Sequence, residues 1–138
     1  MSARCIFSVT LVSIFALTMG IGSASAQSLK EARAKDALTR ALEREATYTS
    51  SVCGSDVTAS IDWTSTGDWP QGLDLVGACD RSLAAVEAAC RANKKRAQSI
   101  TRFVCAGDGA GAQLSGSTLR YGANPNTDGF SQTEAILK

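Results

Sequence analysis

Four cysteines, Cys53, Cys79, Cys90 and Cys105, constrain what this chain can fold into more than any other feature. Three of them fall within residues 79–105, CDRSLAAVEAACRANKKRAQSITRFVC, which reads as a short amphipathic helix, a basic turn and a strand. Cys79, Leu83, Val86 and Cys90 recur at helical spacing and share one face. Asp80 and Ser82 are candidate N-caps, with side-chain oxygens able to accept orphan backbone N–H groups. Ala84, Ala85, Ala88 and Ala89 favour helix. Arg91, Lys94, Lys95 and Arg96 sit at or past the C-terminal end, where positive charge complements the helix dipole. Both helix cysteines therefore lie on the buried stripe and reach whatever the helix packs against.

The redox setting follows from the other end of the chain. Residues 1–26 have the pattern of a secretory leader. Arg4 supplies the positive start, Ile6 to Leu17 is apolar, and Ala24-Ser25-Ala26 fits the small-residue cleavage rule. The fifth cysteine, Cys5, leaves with the leader, and no cysteine stands at the cleavage point to take a lipid anchor. An exported chain with an even cysteine count is expected to form disulfides. With no histidine in the sequence and no CxxC, zinc is a poor alternative. Loss of Arg4 brings Lys+Arg from 14 to 13, against 13 Asp+Glu, so the mature chain is near neutral. That argues against nucleic acid, whose binding requires neutralising many phosphates, and against anionic membranes. No membrane span is expected once the leader is gone.

The mature chain divides into an N-terminal helix (27–50), a stapled core (51–122) and a turn-rich tail (123–138). In the helix, Leu29, Leu38, Ala41, Leu42 and Ala46 give a thin apolar stripe, and Glu31–Lys35 and Asp36–Arg40 are supporting i,i+4 pairs. Thr47 to Gly54 reads as a polar break. Val57, Ala59, Ile61 and Trp63 then alternate with Thr58, Ser60 and Asp62, as in a half-buried strand. Residues 64–78 form a long loop punctuated by Gly67, Pro70, Gly72 and Gly77. After the Cys79–Cys90 helix, residues 97–105 make a second strand. GDGAGA (107–112) reads as a hairpin loop, and Leu114, Leu119 and Tyr121 mark a third strand, interrupted by a bulge or turn at 115–117. The tail carries at most a helical turn at 133–137.

The expected fold is thus a small single α+β domain in the order α-β-α-β-β, with a helix pinned to a three-stranded sheet. A strand–helix–strand unit crosses over right-handed and makes its two strands parallel. Cys53 then lies at the same end as Cys90, and Cys79 at the same end as Cys105. A bridge needs Cα atoms within about 7 Å, so the expected pairs are Cys53–Cys90 and Cys79–Cys105. An intact helix holds Cys79 and Cys90 roughly 16 Å apart.

Catalytic chemistry has little to draw on. Histidine is absent, no GxSxG occurs, and the cysteines are committed to disulfides. Asp62 with Asp68 is the nearest approach to a carboxylate pair, and solvated surface acids are the simpler account. Asp56, Asp62, Asp68, Asp74 and Asp80 recur every six residues but lack the EF-hand pattern. The Gly107-Asp108-Gly109 segment reads as a turn. No cofactor or metal is expected. Two features suit contact with a partner. Trp69, beside Pro70 in the long loop, can stack on a sugar ring, anchor a protein interface, or plug its loop onto the domain. The basic cluster of Arg91, Lys94, Lys95 and Arg96 can touch an acidic group or remain a solvated surface. Trp63 continues the buried parity of its strand and is expected in the core. The sequence favours a non-enzymatic exported interaction protein, periplasmic or secreted, such as an inhibitor. The alternative is a glycan or cell-wall binder using the Trp69 loop. The partner is then a protein or an envelope polymer.

Overall fold

The computed structural model describes residues 22–138, with side chains from Ala26 onward; residues 1–21, most of the expected leader, lie outside the described residues. The first helix, α1, runs Gly22–Cys53 and so continues through the expected polar break. The hydroxyls of Thr47, Ser50 and Ser51 explain this. Each donates back to a carbonyl of the preceding turn, on Glu43, Ala46 and Tyr48 respectively. Side chains that usually compete with a helix are satisfied within this one. Gly54, at φ +68°, ends it, its N–H donating to the Ser50 carbonyl.

Strand β1 (Thr58–Ile61) follows. It stops short of Trp63 because the Asp62 carboxylate accepts from the Thr64 N–H and hydroxyl and starts a 3₁₀ turn at Trp63–Ser65. Trp63 is consequently half-buried at the edge of the core rather than inside it. Helix α2 (Leu75–Arg91) begins earlier than the cysteine spacing indicates, and its N-cap is Asp74, whose carboxylate accepts from the Gly77 N–H at 2.9 Å. Asp80 and Ser82 are interior residues of the helix. Leu75 and Val76 extend the buried stripe by a turn, and that burial outweighs the cost of Gly77 in the first turn. Asn93, at φ 57°, closes the helix, with the Lys94 N–H donating to the Ala89 carbonyl. The basic turn holds a short helix, α3 (Lys95–Gln98).

Three further elements complete the sheet: β2 (Arg102–Ala106), β3 (Gly111–Ser115) and β4 (Thr118–Gly122). The sheet has four strands where three were expected, in the order β1-β2-β4-β3. β1, β2 and β4 are parallel, and β3 pairs antiparallel with β4. Residues 107–110 therefore do not make a hairpin between β2 and its sheet neighbour. The hairpin turn lies at 116–117, with Gly116 at φ +57°. Burial explains the order. Leu119 and Tyr121 of β4 are wholly buried beside Phe103 and Cys105 of β2, whereas β3 offers only half-buried Ala112 and Leu114 and takes the edge. The expected turn-rich tail contains a helix, α4 (Gly129–Leu137), N-capped by Asp128. It packs on α2 through Leu137 and a buried Ser82–Thr133 hydroxyl pair at 2.6 Å, contacts that an apolar pattern does not reveal.

The domain is α+β, and both expected disulfides are present. Cys53–Cys90 has its Cα atoms 5.1 Å apart and Cys79–Cys105 5.8 Å. They fix α2 at its C-terminal end to α1 and near its N-terminal end to β2. Among the described residues, no helix is long and apolar enough to cross a membrane.

Candidate functional site

The carboxyl ends of the three parallel strands lead into three connecting segments: 62–74 after β1, which includes the Trp63–Ser65 turn, 107–110 after β2 and 123–128 after β4. In an open sheet with parallel strands this end is where ligands commonly bind. The three segments are tied together. The Gly107 N–H donates to the Ser65 hydroxyl at 3.0 Å, and the Gly109 N–H to the Ala123 carbonyl at 3.1 Å. Gly107 permits this approach, since a Cβ there would stand 3.2 Å from the Thr66 Cα and 3.4 Å from the Trp69 Cβ.

Trp69, in the first segment, packs against the margin of the hydrophobic core. It is half-buried, and its indole N–H donates to the Leu73 carbonyl at 3.0 Å, which closes the loop beneath it. Clefts lie on both sides. One, of about 400 Å³, runs between the loop and α1 and is lined by Glu31, Lys35, Trp63, Gln71 and others. The Lys35 ammonium stands 5.6 Å from the centroid of the Trp63 ring, a cation–π distance. The other, of about 320 Å³, lies between the loop and the starts of α2 and α4 and is lined by Arg81, Asn124, Thr127 and Asp128. Trp69, Leu73 and Asp74 line both clefts, so Trp69 is the ridge between them.

Several charged groups at this end of the sheet are engaged with protein partners. Asp128 lies below the usual carboxylate range, held there first by the Ser131 hydroxyl and also by Arg81, which pairs with it at 3.1 Å. Asp62 is lowered chiefly by the Thr64 hydroxyl and further by Arg120. Asp108 is lowered chiefly by its hydrogen bond from Arg120, at 2.5 Å. Arg120 thus sits between two ionised carboxylates, an arrangement suited to holding the ends of β1, β2 and β4 together. Asp62 is committed to Thr64 and Arg120, while Asp68 is exposed in the loop. Of the other regularly spaced acids, Asp56 precedes β1, Asp74 caps α2 and Asp80 lies within α2. No group of three or more metal-ligating side chains occurs among the described residues.

The basic cluster lies elsewhere. Arg91 is at the C-terminal end of α2, beside Glu87 and donating to the Tyr48 hydroxyl at 3.3 Å. Lys94, Lys95 and Arg96 are exposed around the start of α3, and Arg96 donates to the Ile136 carbonyl at 2.9 Å. Lys95 and Arg96 border a separate open hollow with Leu114 and Ile136. Trp69 is near the opposite end of α2, a helix of 17 residues and so roughly 25 Å long. The two sets of contact candidates do not form one site. The residues that do surround Trp69, namely Lys35, Arg81, Asn124 and Asp128, gave little warning in the sequence. Asp128 alone carried a signal, as an N-cap residue type before a short helical run.

These features define a small α+β domain stapled by two disulfides, with a tryptophan ridge between two open clefts at one end of its sheet. Compared with known proteins, the chain matches no family model, no curated protein and no solved structure.

Proposed function

We propose that the chain is a non-enzymatic exported interaction protein that holds its partner across the Trp69 ridge. The observation that carries this reading is that one half-buried indole lines two clefts at the end of the sheet where three loops are locked together. Such a ridge is presented on a rigid base, so little conformational entropy opposes binding. Export is supported by two disulfides in a small domain. A non-catalytic role is supported by the engagement of two acids that line the clefts. Asp128 is committed to Arg81 and Ser131, and Asp74 to capping α2, which suits pairing and capping better than proton transfer.

The test is a pull-down with the oxidised protein as bait against the exported or envelope fraction of its own cell, read by mass spectrometry and by polymer co-sedimentation. The expected result is one partner, protein or wall polymer, retained by wild type and lost with Trp69→Ala. That variant should lower stability by only about 1 kcal/mol, as expected away from the fully buried core. A loss of several kcal/mol with partner binding intact would make Trp69 a structural plug and end the proposal.

A further inference from the structure

We infer that the partner is a neutral, hydroxyl-rich chain, an oligosaccharide of at least two ring units lying over Trp69 with a unit in each cleft. This rests on the reading of Trp69 as the contact ridge. Charge is the first argument. The clefts carry both signs: Lys35 and Glu31 on the α1 side, Arg81 and Asp128 on the other, and Asp74 on both. Arg81 and Asp128 already neutralise one another at 3.1 Å. No field of a single sign exists there to select a polyanion or a polycation.

Hydrogen-bonding capacity is the second. Asn124 uses its Oδ1 to accept from the Asn126 N–H, which leaves its amide nitrogen as a donor. Asp74 uses Oδ1 for the Gly77 N–H, which leaves Oδ2 as an acceptor. Gln71, exposed on the α1 side, offers both. A sugar hydroxyl donates and accepts, and so fits an alternation of this kind. The indole supplies an apolar wall for the C–H face of a ring.

The third argument is what a protein partner would need. A stable interface buries roughly 800 Å² per side around an apolar anchor cluster. Among the described residues the exposed large apolar side chains are Leu29, Tyr48 and Leu73; Leu29 and Tyr48 lie far apart along α1, and Leu73 belongs to an apolar lining with Leu38, Trp63, Trp69 and Pro70 that is recessed in the α1-side cleft. The clefts, at about 400 and 320 Å³, are instead at the small end of ligand-sized sites, roughly 300–1,000 Å³.

The experiment titrates the oxidised protein with cello- and chito-oligosaccharides from the monosaccharide to the hexasaccharide, followed by tryptophan fluorescence and calorimetry. Affinity should rise by about tenfold or more between the monosaccharide and the tetrasaccharide and then level off. Trp69→Ala should abolish the response and Trp69→Phe should keep most of it. Should Trp69→Ala fail to fold, Gln71→Ala and Asn124→Ala, one on each side of the ridge, should each weaken tetrasaccharide binding by roughly three- to tenfold. Equal affinity for all lengths, or no response to any sugar, overturns the inference. If the bait meanwhile retains a protein in a Trp69-dependent way, only the sugar assignment falls. If it retains nothing, the contact-ridge reading falls with it.

Discussion

Glu87 is 7% exposed, an unusual place for a carboxylate. It faces α1 from α2. Its Oε1 accepts from the Thr49 hydroxyl at 2.9 Å, and Oε2 lies 3.6 Å from Arg91. Burial pushes its carboxyl above the usual 4.5, Thr49 and Arg91 oppose this, and Asp80 on its own helix and Glu45 on α1 add to the rise. A raised folded pKa means the native state keeps its proton to higher pH than the unfolded chain does. The stability linked to this group is therefore full below the unfolded value and is lost as pH rises through the folded one. Asp80, raised mainly by burial, acts in the same direction. Between pH 4.5 and 7, the urea midpoint of wild type should fall relative to that of Glu87→Gln, which keeps an acceptor for Thr49 but cannot ionise. A constant gap between the two proteins over that range would mean that Glu87 does not titrate there. The lowered acids Asp62, Asp108 and Asp128 have the opposite sign. Their contribution is present above about 3.8 and disappears as pH falls through their folded values.

α2 packs against α1, α3, α4 and β2, and a disulfide ties it near each end. By loop-closure entropy a bridge spanning 26 or 37 residues contributes roughly 3–4 kcal/mol, a large share of what a domain this size has in total. The bridges differ in access. Cys79 and Cys105 have no exposed surface, while Cys53 is half-buried at the end of α1. Graded reduction should open Cys53–Cys90 first, because thiolate attack requires access to a sulfur. Differential alkylation read by mass spectrometry gives the order, and prior opening of Cys79–Cys105 would show that burial does not control it. Replacing Cys53 and Cys90 by serine should cost about 3 kcal/mol by the same entropy argument. The pairing was legible in the sequence because two parallel strands joined by a returning helix assign each cysteine to an end of the unit. The position of β3 was not, because residues 107–112 suit a turn whether the next strand pairs beside β2 or beyond β4.

Across the whole molecule, burial is uneven. Leu42, Ala46 and Thr49 of α1 are buried, yet every residue from Ala26 to Ala37 is exposed. α2, β2 and β4 surround one core that contains Leu83, Phe103 and Tyr121. Amide hydrogen exchange should therefore show two tiers. Residues 26–36 should exchange through local fraying, orders of magnitude faster than α2, β2 and β4, whose slowest amides should follow global unfolding. Equal protection along all of α1 would show that its first turns are covered in solution.

The sequence by itself determined the α+β class, the helical run from Cys79 to Cys90, a first strand within residues 57–63 and the two disulfides. These follow from periodicity and from a parallel strand–helix–strand unit that sets which cysteines share an end, all of which act over short stretches or through covalent limits. The Trp69 residue was visible as a candidate, but not what surrounds it. Only the tertiary structure decided that Lys35, Arg81 and Asn124 flank it, and that Arg91, Lys94, Lys95 and Arg96 do not. Those neighbours come from α1, α2 and the loop after β4, and their meeting depends on how packed elements align, which no local pattern encodes. The same holds for α4, whose seat on α2 includes a buried hydroxyl pair that an apolar stripe does not announce.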